Sequence, residues 1–135
     1  MSNLYLEWQN ETGTSSTASV LTTVTNTGST DAYPVFTITG PGTLYWIRNE
    51  TTGDLLSFNL TIQAGEVVTL DLSGGSIKFT SSWRGSILSA LLNGSNDATF
   101  RLIKGANNLT VFMQNTTAAS AVDVRWTPQF LALEH

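Results

Sequence analysis

Apolar residues recur at every second position through much of the chain. Phe36 and Ile38 alternate with Thr37 and Thr39, and Leu56, Phe58, Leu60 and Ile62 alternate with Ser57, Asn59 and Thr61. Val68, Leu70 and Leu72 do the same with Thr69 and Asp71. A period of two places one apolar row on one face of a strand, so the stretch 33–71 predicts half-buried β-strands. Glycine-bearing turns separate them: Gly40-Pro41-Gly42, Thr52-Gly53-Asp54 and Ala64-Gly65-Glu66. Proline removes a ladder donor and glycine admits positive φ, so each turn closes a strand, and Gly53 is expected at positive φ. The stretch as a whole predicts an antiparallel meander.

The same reading extends outward. Val20, Thr22 and Val24 give a first core strand closed by the turn Asn26-Thr27-Gly28-Ser29, and Ile77 with Phe79 gives a short one. Phe100 with Leu102, Leu109 with Val111 and Met113, and Val122 with Val124 and Trp126 complete the set. Ile87, Leu88, Leu91 and Leu92 have the spacing of one helical face, with Asn93-Gly94 as a stop, which predicts one short helix. The sum is an all-β fold of about nine strands, and short turns without alternating helices favour a two-sheet antiparallel β-sandwich. Residues 1–19 read as a polar lead from an upstream region, with Leu4-Tyr5-Leu6-Glu7-Trp8 as a strand whose partner lies upstream and Gly13 to Thr17 as a flexible joint. Residues 20–132 read as the sandwich domain, and 133–135 as the junction of a cloned affinity tag.

Composition removes most chemistry. The chain has no cysteine, and its single histidine is His135 in the tag junction, so neither a nucleophile–histidine pair nor a histidine-held metal has a candidate. Glu50 with Asp54 and Glu66 with Asp71 are the closest carboxylate pairs, and both sit at turns or strand rims where acidic residues are ordinary. Asp31, Asp54, Asp71 and Asp97 are isolated, with no calcium-loop spacing. No enzyme activity, cofactor or metal is expected. Six basic residues, scattered singly, against ten acidic ones give a net charge of −4, which argues against nucleic acid, whose affinity rests on neutralised phosphates. No apolar run reaches the roughly 18 residues of a membrane span, so no membrane partner is expected either.

The aromatics carry the remaining functional signal. Trp126 is in phase with Val122 and Val124 and is expected in the core. Tyr45 and Trp46 are adjacent, and neighbouring strand residues face opposite sides, so one of them is expected at a surface. Tyr45, Trp46 and Trp83 are therefore the candidate interaction residues.

Tyr33-Pro34-Val35 leading to Thr39-Gly40-Pro41, then Ile47-x-Asn49, Thr52-Gly53, and Ala64-Gly65-Glu66 followed by Leu70-Asp71 resembles the C-terminal domain of siphophage distal tail proteins. The similarity continues through Gly85 and Leu102 to the stretch 104–111, where Gly105 and Asn107 match the family's proline-glycine-x-asparagine turn and Lys104 replaces its proline. It covers roughly Val20 to Pro128. The resemblance implies a galectin-like or jelly-roll-like sandwich and a structural role in a phage or prophage tail, with Gly40, Pro41, Gly53, Gly65, Gly105 and Asn107 as its structural turns. Partners are then other tail or baseplate proteins, and the location is the virion, after synthesis in a bacterial cytoplasm. It further implies a homo-oligomeric ring for the full-length protein, formed through an upstream domain, and a monomer for this chain alone. The alternative is a carbohydrate-binding module of a larger protein. Galectins carry a His-x-Asn-x-Arg and a Trp-x-x-Glu-x-Arg stretch; neither exists here, the nearest reading Trp83-Arg84-Gly85-Ser86. That absence predicts no binding of simple sugars.

Overall fold

Residues 2–7, 17–73, 77–92, 100–117 and 119–127 are described in the computed structural model. They form ten strands: β1 (Ser2–Glu7), β2 (Thr17–Asn26), β3 (Val35–Thr39), β4 (Gly42–Asn49), β5 (Asp54–Ile62), β6 (Val67–Asp71), β7 (Lys78–Ser81), β8 (Gly85–Ser86), β9 (Gly105–Gln114) and β10 (Ala121–Trp126). The strands make two antiparallel sheets. Sheet A runs β1-β10-β3-β6-β7-β8 and sheet B runs β2-β9-β4-β5. Their facing apolar rows form one core, in which Phe58 of sheet B meets Phe79 of sheet A with ring centroids 5.4 Å apart. Each such side chain contributes about 1.5–3 kcal/mol by leaving water, which is what holds a chain without disulfides together.

The alternation is observed as predicted in β3, β5 and β6, where every second residue is buried. The pairing differs from a meander. β3 pairs with β6 and β10, whereas β4 pairs with β5 and β9, so within the stretch 33–71 only β4 and β5 form a hairpin. The chain changes sheets at Gly40-Pro41 and changes back between β5 and β6. An alternating strand looks the same in sequence whether its neighbour in the chain pairs beside it or crosses to the facing sheet.

The two crossings lie against each other. The Gly40 amide donates to the Glu66 carbonyl at 3.0 Å, and a Cβ built on Gly40 would stand 2.2 Å from the Gln63 carbonyl oxygen. Gly40 is required here for close approach, since no positive φ is recorded for it. The Glu66 carboxylate is fully buried at this corner. It accepts from Arg84 Nε at 2.7 Å, the Gln63 amide at 2.9 Å and the Ser81 hydroxyl. Burial pushes its carboxyl up, but the Arg84, Gln63 and Ser81 hydrogen bonds and the Arg84 charge outweigh burial and hold it below the ordinary value of 4.5.

Three further expectations change. The predicted helix is a single 3-10 turn, Leu88–Ala90. Ile87 alone of its apolar residues is buried, Leu91 is half-buried, and Leu88 and Leu92 are exposed, because the Leu92 amide donates to Ser57 of β5 and the segment runs as an edge cover. Phe100 and Leu102 are buried without forming a strand; Leu102 makes an isolated bridge to Ala32. The Leu4–Leu6 patch finds a strand partner within this same chain, β10. Trp8, the stretch Gly13 to Ser16, Asn93-Gly94, Asp97, Pro128 and residues 133–135 lie outside the described residues.

Candidate interaction surface

A β-bulge organises the outer face of sheet B. Leu44 pairs with Met113 and Trp46 with Phe112, so Tyr45 is an extra residue on β4 opposite β9. Leu44 and Ile47 point into the core, while Tyr45 and Trp46 are both half-buried and both reach Phe112. The extra residue thus turns two successive aromatics to one side, correcting the expectation that they face apart.

The result is a compact aromatic cluster. Trp46 stacks on Phe112 at 5.6 Å between centroids with 18° between planes, and Tyr45 meets the same ring at 5.7 Å and 40°. Arg48, two residues along β4, places its guanidinium 5.3 Å from the Trp46 ring centroid, and Glu50 lies 3.8 Å from that guanidinium. Rings stacked on one another lose side-chain freedom before any partner arrives, so a protein docking here orders little further. Aromatic rings and arginine are the residue types enriched at protein contacts. Phe112 was not among the sequence candidates, although its position between the inward Val111 and Met113 marks it as outward-facing.

Trp83 is not part of this cluster. It sits between β7 and β8, 60 % exposed, with its ring beside Gly65, where an added Cβ would lie 3.5 Å from the indole. The other sequence-derived positions form turns and crossings. Gly53, at φ 81°, closes the β4–β5 hairpin with its amide on the Asn49 carbonyl at 2.8 Å, and nothing lies within 4 Å of its would-be Cβ. Pro41 stands at the first crossing and Gly65, at φ 83°, at the second; Gly105, at φ 91°, opens β9.

Asn107 is fully buried and acts as a clasp. Its amide nitrogen donates to the carbonyls of Ile103 and Gly105, and its oxygen accepts from the Ile103 amide and from Asn49 Nδ2, all within 3.1 Å. Asn49 also donates to the Arg101 carbonyl and Asn26 to the Leu102 carbonyl, so three buried asparagines hold the irregular segment 101–105. The carboxylates considered for chemistry are engaged structurally. Arg101 bridges Asp54 at 2.9 Å and Asp31 at 3.2 Å, and Glu66 belongs to the corner with Arg84. Among the described residues, no three acidic, histidine or cysteine side chains converge as a metal ion would need, and no helix is long and apolar enough to cross a membrane.

Comparison with known proteins gives a family match. The family model described as siphovirus-type tail component, C-terminal domain, matches residues 27–130. Neither the curated proteins nor the solved structures contain a match to the chain.

Proposed function

The chain belongs to the siphovirus-type tail component family, and from that premise we propose that it acts in tail assembly, as a rigid sandwich that docks on a neighbouring tail or baseplate protein through the outer face of sheet B. Membership implies a component of the virion tail and a structural role. The observation that carries the finer reading is the bulge-presented cluster of Tyr45, Trp46 and Phe112 with Arg48 at its side. In this reading the ring contacts of the full-length protein reside upstream, the chain alone is a monomer, and Tyr45 and Trp46 meet the partner.

The test is substitution of the cluster in the encoding phage. Trp46→Ala combined with Tyr45→Ala removes the contact while leaving the inward Leu44 and Ile47 rows intact. The double variant is expected to fold, by near-unchanged circular dichroism, and to stop tail completion in electron micrographs of lysates. Normal tails carrying the folded double variant would refute the assignment of this face.

A further inference from the structure

Trp83, in the turn between β7 and β8, is more exposed than any other large apolar side chain among the described residues. Surface turns are ordinarily the least constrained parts of a fold, yet this one is tied down along its length. The Ser82 amide donates to the Val67 carbonyl at 2.8 Å, and the Val67 amide donates to the Ser82 hydroxyl at 3.0 Å. The Trp83 and Arg84 amides donate to the Ser81 hydroxyl at 3.1 and 3.2 Å, and that hydroxyl donates in turn to the buried Glu66 carboxylate. Arg84 completes the set, with Nε on Glu66 at 2.7 Å and Nη2 on the Thr61 carbonyl at 3.1 Å.

One buried carboxylate thus holds both ends of the turn. A buried ion pair adds little net stability over an apolar pair of the same volume, although breaking it is destabilising, so its presence here is explained by the geometry it fixes. That geometry is the placement of an exposed indole. A tryptophan whose backbone is ordered in advance loses little further freedom when a partner closes on it. Its surroundings are low and neutral. Ala64, Gly65, Ser82, Gly85 and Ser86 are exposed and smaller than an indole, and the only ionised groups of 61–67 and 80–86, Glu66 and Arg84, cancel each other. A projecting aromatic ring without net charge fits a concave apolar pocket on a protein, the setting in which tryptophan anchors carry most binding energy. A lipid surface is held by a broad apolar face with basic residues, whereas this chain offers a single indole and a net charge of −4.

We propose that Trp83 anchors a second protein contact by inserting into an uncharged apolar pocket of a neighbouring tail protein, and that Glu66 is the positioning residue that fixes its turn. The inference rests on membership of the tail family and is independent of the contact face on sheet B.

Incorporation of p-benzoylphenylalanine in place of Trp83, with irradiation of assembled virions and of infected cells, tests the contact. An adduct to a tail protein is expected, whether or not a probe at Tyr45 forms one. A photoactive probe at 83 that forms no protein adduct, or adducts to lipid alone, overturns the proposal. Trp83→Ala in the encoding phage should leave the melting midpoint of the chain nearly unchanged and lower the yield of complete tails by about tenfold; a normal yield overturns it. The positioning role is read from ¹⁵N relaxation of the full chain. The Trp83 amide is expected at an order parameter of about 0.85 in the native chain and in the destabilised control Gly53→Val, and below about 0.6 in Glu66→Gln. A Trp83 amide equally rigid in Glu66→Gln overturns that role.

Discussion

Single residues decide the corners of this molecule, and their roles were unevenly visible in the chain. Trp126 fell in phase with Val122 and Val124 and is 5 % exposed, because burial phase is a local property of a strand. Tyr45 and Trp46 were separated by the same rule and are found together, because a bulge exists only between paired strands and leaves no mark on one strand alone. Gly53 carries positive φ in open space, so Gly53→Val tests backbone strain without steric crowding. A loss of about 1–2 kcal/mol is expected from urea unfolding. Glu66 predicts a pH effect. Its folded pKa lies below its ordinary 4.5, so its stabilisation is complete above that value and is lost as pH falls through the folded pKa. Asp71 adds the same sign below 3.8. Glu66→Gln should therefore lower stability at pH 7 and flatten its decline below about pH 4.5, measured as the melting midpoint against pH.

At the scale of elements, alternation identified strands but not their partners. β3 to β6 alternate as a meander would, yet the two crossings at Gly40-Pro41 and 63–66 send them to different sheets. The fact that decides between these layouts is the approach of Gly40 to Gln63, a contact between segments more than twenty residues apart. The segment 87–92 misled for a related reason. Its apolar spacing matches a helix, but a hydrogen bond from the Leu92 amide to the Ser57 carbonyl and a bridge from Leu91 to Phe58 draw it along β5. The asparagine clasp is an element-scale device as well. Asn107→Ala leaves the Ile103 amide and one of the two Asn49 Nδ2 protons without an acceptor, and an expected cost of about 1–3 kcal/mol is read from the unfolding midpoint. Hydrogen exchange should show the loss locally, as faster exchange of the Ile103 amide.

As a whole molecule, the protein is two sheets around one core, and each outer face bears a different chemistry. Among the described side chains, the outer rows of sheet A include Thr37, Thr69, Thr80 and Asp123, whereas sheet B gathers Tyr45, Trp46 and Phe112. The all-β class was legible from periodicity, and the tail family from the resemblance of the turn motifs to it, with which the family match over 27–130 agrees. The proposed contact face was legible only in part, since two of its aromatics were named and the third, Phe112, was hidden in a strand read for its inward row. The central claim is that this face meets another tail protein. Incorporation of p-benzoylphenylalanine in place of Tyr45, followed by irradiation of assembled virions, measures it most directly. A single dominant adduct to a neighbouring tail or baseplate protein is the expected result, and an efficiently incorporated, photoactive probe that forms no protein adduct in intact tails would contradict the account.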